Sequence, residues 1–432
     1  MFSLFKDRNF SIFWFGEMVS VIGDHISMLA FPWLVLQMTG SATLTGLVFA
    51  VQGVPRAFLM LAGGVMVDRT SPKAVMVASN GLRMLLVMSL AYMISQDNVS
   101  IVTVFVMAFA FGVADAFFYP ASTSILPSLV TTDKLQAGNA IVQTTLHLGM
   151  TVGPMIAGLI IAGEINGISQ SGEGNNSALV SYEKDREGLA RAFFVDGLTF
   201  ALSLVSLLFV KVQPLNTDTD KANPQSLWTE AKEAIAWVWS VPAVRMGFVG
   251  MAVIHFFFMP MIYVGLPVLA NQRFSEGAYV YGLEMAAYGG GAFIGAALGG
   301  WLAGPKDKNI IPMIFAVNIF SGSTLALVIF YEPYWWAMLL FFLAGLADNY
   351  FWVHFATWLQ KKTPSSLLGR VMSLLMFMSL GLVPIADAVL GFAIDWNLYI
   401  TMVGCSLILM IVSLFIALHP SSRKLESATV TN

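Results

Sequence analysis

Long apolar runs separated by short polar breaks dominate this sequence of 432 residues. A helix needs roughly 20 apolar residues to cross a hydrocarbon core about 30 Å thick, and in lipid only helices and closed barrels pair all their backbone polar groups. With 57% hydrophobic and 11% charged residues, the chain lacks the polar shell of a soluble enzyme. We therefore predict an all-α membrane protein with twelve transmembrane helices, near residues 10–37, 43–66, 74–95, 99–126, 136–162, 190–212, 244–270, 277–303, 309–331, 334–359, 368–394 and 397–418.

Composition and missing motifs restrict the function further. The formal net charge of −3 argues against nucleic acid as a partner. The single cysteine, Cys405, lies in an apolar run, which excludes disulfides and cysteine metal clusters. The sequence has no G-x-x-x-x-G-K-[ST], G-x-S-x-G or H-E-x-x-H motif. We expect a protein that is not an enzyme, has no cofactor and no resident metal, and is surrounded by the lipid bilayer.

The distribution of basic residues predicts the orientation of the spans. If the N-terminus is cytoplasmic, 16 of the 22 Lys and Arg residues fall in inner segments, four fall in outer segments, and Arg56 and Arg83 lie inside spans. Lys and Arg are enriched in cytoplasmic loops. We therefore expect both termini to be cytoplasmic.

A polar stretch and an internal repeat divide the chain. We predict an N-terminal six-helix bundle over 1–212, a cytoplasmic linker over 213–243, a C-terminal six-helix bundle over 244–419 and a cytoplasmic tail over 420–432. Three glycines of span 2 recur in span 8 at a displacement of 236 positions: Gly46, Gly53 and Gly63 match Gly282, Gly289 and Gly299. Asp115 in span 4 recurs as Asp348 in span 10, at a displacement of 233 positions. Such parallel repeats predict two pseudo-symmetric bundles that rock about a central site.

The linker is expected to contain an amphipathic helix. Ser226 is a possible N-cap, and five apolar residues follow at helical spacing: Leu227, Ala231, Ile235, Val238 and Trp239. We interpret this stripe as the buried face of a helix on the membrane interface or across the cytoplasmic ends of the bundles.

Two motifs resemble signatures of the major facilitator superfamily. The loop after span 2 is similar to G-x-x-x-D-R-x-x-x-K at Gly64, Asp68, Arg69 and Lys73, with Ser71-Pro72 where the family has a glycine. Span 5 is similar to the G-x-x-x-G-P-x-x-x-G signature of antiporters in that superfamily, at Gly149, Gly153, Pro154 and Gly158. The resemblance implies the major facilitator fold. Generic close packing of helices is an alternative explanation of the span 5 glycines.

A finer resemblance is to the bacterial macrolide-efflux and enterobactin-exporter branch. It rests on Ile22-Gly23-Asp24, Val195-Asp196 and Leu368-Gly369-Arg370. It implies a monomeric, secondary-active exporter in the bacterial cytoplasmic (inner) membrane. Such a protein would export amphipathic small molecules (drug, macrolide or siderophore-like) in exchange for protons by alternating access.

The loop motif implies a conformational latch. In this fold Asp68 would face the N-terminus of span 11, where a carboxylate gains roughly 0.3–1 kcal/mol from the helix dipole. Arg69, Lys73 and Arg370 would contribute, and Arg83 is expected to reach toward Asp68. Simple anchoring by positive charge is an alternative role for Lys73.

Ionisable side chains inside spans are costly and usually mark a pathway. The resemblance implies that spans 1, 4, 7 and 10 line the central cavity, and each carries such groups: Asp24, His25, Asp115, His255, Asp348 and, further inward, His354. We predict Asp24 as the chief proton carrier. Asp115 and Asp348 are alternative carriers or cation-binding groups, or they hold helices together through hydrogen bonds.

Other intramembrane charges have less defined roles. Arg56 is a possible ion-pair partner of Asp24 or Glu17, and Glu284 and Asp387 are possible substrate contacts. We interpret Asp196 as a local helix cap near the outer end of span 6.

Two other cargoes remain open. A divalent metal exporter with an iron-like cargo would use His25, His255, His354, Asp24 and Asp348. A lipid or lysolipid flippase is equally compatible with the apolar composition.

Overall fold

The computed structural model describes residues 2–163, 178–212, 227–330 and 333–418, and its regular elements are helical. The part before the linker consists of six long α-helices: α1 Arg8–Thr39, α2 Ala42–Arg69, α3 Pro72–Ser95, α4 Ile101–Ile125, α5 Leu135–Ala162 and α6 Ala178–Phe209. We call residues 1–212 the first half of the chain, and residues 244–419 the second half.

The linker helix and the second half contribute nine further α-helices within the described ranges. They are α7 Leu227–Ser240, α8 Pro242–Phe257, α9 Leu266–Arg273, α10 Gly277–Trp301, α11 Ile310–Phe330, α12 Tyr334–Lys362, α13 Leu368–Phe377, α14 Val383–Trp396 and α15 Leu398–Leu418. A π-helical turn, Met261–Gly265, precedes α9, and another, Met378–Leu382, connects α13 to α14. The segment from α8 to α9 therefore corresponds to one predicted span, and the segment from α13 to α14 to another.

Eleven helical segments among the described residues are long and apolar enough to cross a membrane. They correspond to eleven of the twelve predicted spans. The predicted span over 277–303 is helical as α10 but is not among the eleven. Eight glycines in this 25-residue helix lower its hydropathy, and α10 packs against α5 and α12.

Side-chain caps explain several helix starts. Asp7 accepts a hydrogen bond from the backbone N–H of Phe10 at 3.0 Å, and Ser100 accepts one from Thr103 at 3.1 Å. Gly40 ends α1 in a left-handed conformation, with φ of 65°, which glycine adopts without steric cost. Gly40 thus allows the tight turn between α1 and α2.

One expectation about the polar segments needs correction: helix α6 begins at Ala178, not near residue 190, so part of the predicted outer loop is helical. The linker helix is present as α7. Its Ala234 and Val238 are buried in an apolar cluster with Phe248, and Ile235 and Trp239 of the predicted stripe lie on the protein surface. Ser226, its expected cap, lies outside the described residues.

We call the end of the molecule where α1 begins the near end, and the end where α1 terminates the far end.

Helices of the two halves approach closely where glycines meet. Between α5 and α10, a Cβ on Gly282 would lie 2.5 Å from the carbonyl oxygen of Pro154, and one on Gly289 would lie 2.5 Å from that of Met150. Gly158 faces Ala278 across the same contact. Gly158 of span 5 and the repeated glycines Gly282 and Gly289 of α10 thus meet in one interface.

The pair α2 and α14 repeats this arrangement. A Cβ on Gly46 would collide with the backbone carbonyl of Asp387, and one on Gly53 with the ring of Pro384. Gly46 and Gly53 are the repeat counterparts of Gly282 and Gly289. Equivalent glycines therefore face the opposite half in both helix pairs.

A set of polar contacts closes the far end between the halves. The carboxylate of Asp395, at the end of α14, accepts hydrogen bonds from the Ser41 hydroxyl at 2.7 Å and from the backbone N–H groups of Ala42 at 2.5 Å and Thr43 at 2.9 Å. Gln37 donates to Asn271 at 2.9 Å. We call the contact of Asp395 with the start of α2 the far-end clasp.

The far-end clasp predicts a conformational effect of Asp395→Asn. An exposed carboxylate at a helix N-terminus contributes roughly 0.3–1 kcal/mol, so its loss should raise the population with an open far end about two- to fivefold. Double electron–electron resonance measures this population from the distances between spin labels placed at Gln96 and Ile400 in a Cys405→Ala background. Asp307→Asn, which removes an exposed ion pair with Lys362 inside the second half, is the control. Unchanged distance distributions in Asp395→Asn would contradict the clasp.

The α5–α10 interface predicts contrasting effects of two alanine substitutions in one helix. Gly282→Ala forces a shift of backbone against Pro154 and should cost about 1–3 kcal/mol, as overpacking does. At Gly290, the nearest atom to an added Cβ is Thr151 Cγ2 at 3.7 Å, so Gly290→Ala should be neutral or stabilising. Thermal unfolding of the two purified variants in detergent compares them. Equal midpoints would show that this close approach is not needed.

Candidate functional site

A cavity of about 440 Å³ lies between the two halves and is lined by both. This volume suits a drug-sized ligand. Its wall includes seven ionisable side chains other than tyrosine: Glu17, Asp24, His25, Arg56, Asp115, His255 and Asp387. Six of these are predicted site residues, and Asp387 is a possible substrate contact in the sequence. The structure therefore brings together most of the groups that the sequence singles out.

The cavity opens toward the near end. Thr123, Asn139 and Gln143 belong to its lining and are exposed, and the last two lie in the first turns of α5, at the near end. At the far end, the clasp and the stacked rings of Trp33 and Tyr281, 6.3 Å apart, separate the cavity from the surface. As bounded by the described residues, the cavity is thus open at the near end and closed at the far end.

Arg83 is at the centre of the charged side chains of the first half. It is fully buried, and its Nη1 donates to Asp24 at 3.0 Å and to Asp115 at 3.3 Å. Its Nη2 donates to Asn80, and the guanidinium lies over the rings of Phe118 and Phe200, at 3.9 and 4.5 Å from their centroids. Arg83 therefore joins α3 to α1 and α4 and neutralises charge in both.

This geometry corrects the expected partners of both intramembrane arginines. Arg83 contacts Asp24 and Asp115, not the cytoplasmic latch, because it lies three helical turns from the start of α3. Arg56 donates to Asp115 at 3.1 Å, whereas the sequence suggested Asp24 or Glu17 as its partner. Asp115 thus lies between two guanidinium groups, and Asp24 has one.

Asp196 has a different role from a terminal helix cap. Because α6 begins at Ala178, Asp196 lies well inside the helix, and it is fully buried. It accepts hydrogen bonds from Ser27 in α1 and from Thr199. A Cβ on Gly23 would collide with both Asp196 and Thr199. Asp196 thus connects α6 to α1 one turn from Asp24, a contact that the sequence analysis missed.

In the second half, only part of the predicted set reaches the cavity. His255 is on the wall, with its Nδ1 2.8 Å from the carbonyl oxygen of Met251. Asp348 lies behind the wall and accepts a hydrogen bond from the Tyr288 hydroxyl at 2.8 Å. Glu284 is buried outside the lining, and His354 packs against Tyr350 with ring centroids 4.6 Å apart. Glu284 and His354, both predicted on the pathway, therefore lie outside the cavity wall in this structure.

Asp387 differs from Asp24 and Asp115, the two lining acids that form ion pairs. Its side chain is 1% exposed, and its Oδ1 has no hydrogen-bond partner among the described residues. It lies in α14, near the contact with Gly46 of α2. No sequence feature ranks Asp387 above Glu284, because both are single acids in an apolar span and only the direction in which each side chain faces separates them.

The span 5 residues and the latch residues have distinct surroundings. Gly149 and Gly153 face Val21 and His25 of α1, so they allow α5 to approach α1 closely. Lys73 donates to the carbonyl oxygens of Leu208 and Val210 at 3.2 and 2.7 Å, and Arg370 pairs with Glu233 of α7 at 2.5 Å. Gly64, Asp68 and Arg69 lie in α2, but their side-chain surroundings are outside the described residues.

The described residues contain no group of three or more His, Cys, Asp or Glu side chains placed to hold a metal ion. His255 lies on the cavity wall, whereas His354 lies outside the cavity lining and packs on Tyr350. The five residues proposed for a metal cargo therefore do not form one site in this structure.

Comparisons with known proteins agree with this architecture. The multidrug efflux pump Tap of Mycobacterium tuberculosis (strain ATCC 25618 / H37Rv) is 24% identical over 96% of this chain and 94% of its own length. The enterobactin exporter EntS of Salmonella paratyphi A is 26% identical over 82% of this chain and 78% of its own. Both relatives agree with the branch that the sequence resembles.

Solved structures share the fold. The nucleoside transporter NupG superposes with a TM-score of 0.67 at 12% identity, over 95% of this chain and 97% of the other. A POT family transporter gives 0.68 at 12% identity, over 95% of both chains. Residues 13–386 match the Major Facilitator Superfamily. This match covers most of the sequence, and the chain therefore belongs to the major facilitator superfamily.

Proposed function

We propose that this chain is a secondary-active exporter of amphipathic small molecules, driven by proton influx. The observation that carries the proposal is one cavity, open at the near end, whose wall combines apolar surface and carboxylates from both halves with Arg56 of the first half. The names of its relatives, a multidrug efflux pump and an enterobactin exporter, support an export function. The chain is then a transporter and not an enzyme.

The proposed setting is the bacterial cytoplasmic membrane, with a monomer whose termini are both cytoplasmic. The near end then faces the cytoplasm, so this conformation would receive substrate from the cytosol or the inner leaflet. Rocking of the two halves about the α5–α10 and α2–α14 contacts would close the near end and release the far-end clasp. The predicted latch of Gly64, Asp68, Arg69, Lys73 and Arg370 would act at the near end.

Asp24 is the proposed proton carrier. Its carboxylate borders the cavity and pairs with the buried Arg83 guanidinium. A proton on Asp24 would remove its charge and weaken this ion pair, leaving Arg83 to Asp115, 3.3 Å away. Because Arg83 joins α3 to α1 and α4, proton binding would change how these helices are held together. Asp115 and Asp348 remain alternative carriers, and Glu17, His25 and His255 are proposed to complete the cavity.

The test is Asp24→Asn in proteoliposomes. The variant cannot exchange a proton at this position, so pH-gradient-driven efflux of a fluorescent drug should fall to the level of protein-free vesicles. Counterflow, in which substrate exchanges for substrate with no net proton movement, should persist because the cavity remains. Asp307→Asn is the matched control outside the cavity and should behave like the unmodified protein.

Two outcomes would redirect the proposal. Full retention of pH-gradient-driven efflux by Asp24→Asn would refute the assignment of Asp24. Flux that depends on a lipid headgroup and does not respond to proton ionophores would favour the lipid or lysolipid flippase instead.

A further inference from the structure

We infer that Asp387 is the substrate-recognition residue of the cavity and binds the cationic nitrogen of an amphipathic substrate. This inference deepens the proposed function and rests on it. It assigns the cargo to lipophilic cations, such as protonated amines, and separates the residue that recognises substrate from the residue that carries the proton.

The first argument is the distribution of ion pairs. Among the described lining residues, Arg56 is the only guanidinium or ammonium group, and it pairs with Asp115. Arg83, behind the wall, pairs with Asp24 and Asp115. The acids at the centre of the first half are therefore matched by positive charge from their own half. No ion pair or hydrogen bond links the Asp387 side chain to any described residue, and its Oδ1 is buried without a partner.

The second argument is the cost of that isolation. A buried carboxylate without a counter-charge is strongly unfavourable, so a proton or a cation must neutralise Asp387. A ligand ammonium group can do so while it donates hydrogen bonds to the orphan oxygen. An anionic ligand at the same position would add repulsion instead.

The third argument is the wall around Asp387. Phe49 and Tyr263 line the cavity with ring centroids 5.6 Å apart, and Met28, Met259 and Pro384 add apolar surface. Aromatic faces attract cations that have left water, and methionines adapt to varied apolar shapes. The wall therefore combines the unpaired Asp387 carboxylate with apolar and aromatic surface, which fits a lipophilic cation.

Glu17 is the other acid of the lining with an unpartnered oxygen, but its surroundings differ. It lies in the first half, within the electrostatic range of Arg83. The Arg83 guanidinium therefore acts on Glu17 as well as on Asp24 and Asp115. Among the described residues, no Lys or Arg interacts in this way with Asp387, and this difference favours Asp387 over Glu17 as the site for a ligand cation.

The test compares two probe ions of the same shape and opposite charge, tetraphenylphosphonium and tetraphenylborate. Binding to the purified full-length protein is measured by equilibrium dialysis in detergent without a pH gradient, with protein-free micelles as the blank. The unmodified protein should bind the cation at least about tenfold more tightly than the anion. Asp387→Asn should weaken cation binding by about 30-fold, as the loss of one buried charge partner does.

Glu284→Gln is the matched control, because Glu284 is also a buried acid of the second half with an unpartnered oxygen but lies outside the lining. It should leave cation binding unchanged, and Asp387→Glu should retain the preference for the cation. Undiminished cation binding by Asp387→Asn, or no preference for the cation in the unmodified protein, would overturn the inference. The comparison of cation with anion binding needs no variant, so the absence of a preference in the unmodified protein would overturn the inference even if Asp387→Asn fails to fold.

The binding test is independent of the transport test. If the cation binds through Asp387 but no pH gradient drives its efflux, proton-coupled export fails while the recognition role stands. If efflux is proton-driven but binding ignores charge, the recognition role fails alone.

Discussion

Close backbone contact between the two halves is the constraint on which the rest of the structure depends. At α5–α10 and at α2–α14, glycines allow one helix to approach the carbonyl groups or proline ring of the other at distances that no Cβ would permit. Lipid gives helices little hydrophobic reason to associate, so such van der Waals contact has to hold them together. Because equivalent glycines of the repeat form both contacts, the cavity lies between two similar supports, and the polar contacts at the far end determine which side is closed.

The cavity is electrically asymmetric although its walls come from repeated sequence. In the first half, Arg83 and Arg56 lie among the acids and neutralise Asp24 and Asp115. In the second half, Tyr288 supplies a neutral hydrogen bond to Asp348, and Asp387 has none. The repeat conserved the positions of Asp115 and Asp348 but not their partners. A duplicated scaffold can thus give one half to proton exchange and the other to ligand recognition, as we propose.

The sequence predicted the features that depend on hydropathy and spacing, and it missed those that depend on helix rotation. Apolar runs located the spans, and the repeated glycines Gly282 and Gly289 of α10 do contact the other half. The partners of Arg83 depend on how α3 is rotated toward α1 and α4, which a single sequence does not specify. The different surroundings of His354 and Asp348 could have been predicted. His354 follows Asp348 by six residues, about 240° around the helix, so the two side chains cannot share a face. Asp387 and Glu284 look alike in sequence, and only packing separates the acid on the wall from the acid behind it.

The π-helical turns of the second half have a consequence for how the cavity accommodates cargo. Tyr263 lies in one turn, and Ser379 and Leu380 lie in the other, all on the cavity wall. A wide turn holds one extra residue and can return to regular α-helix by passing it along the chain. Such a step would rotate the neighbouring side chains into or out of the cavity without unfolding the span. Register shifts at these two turns would let the second half adjust its cavity wall to molecules of different outline.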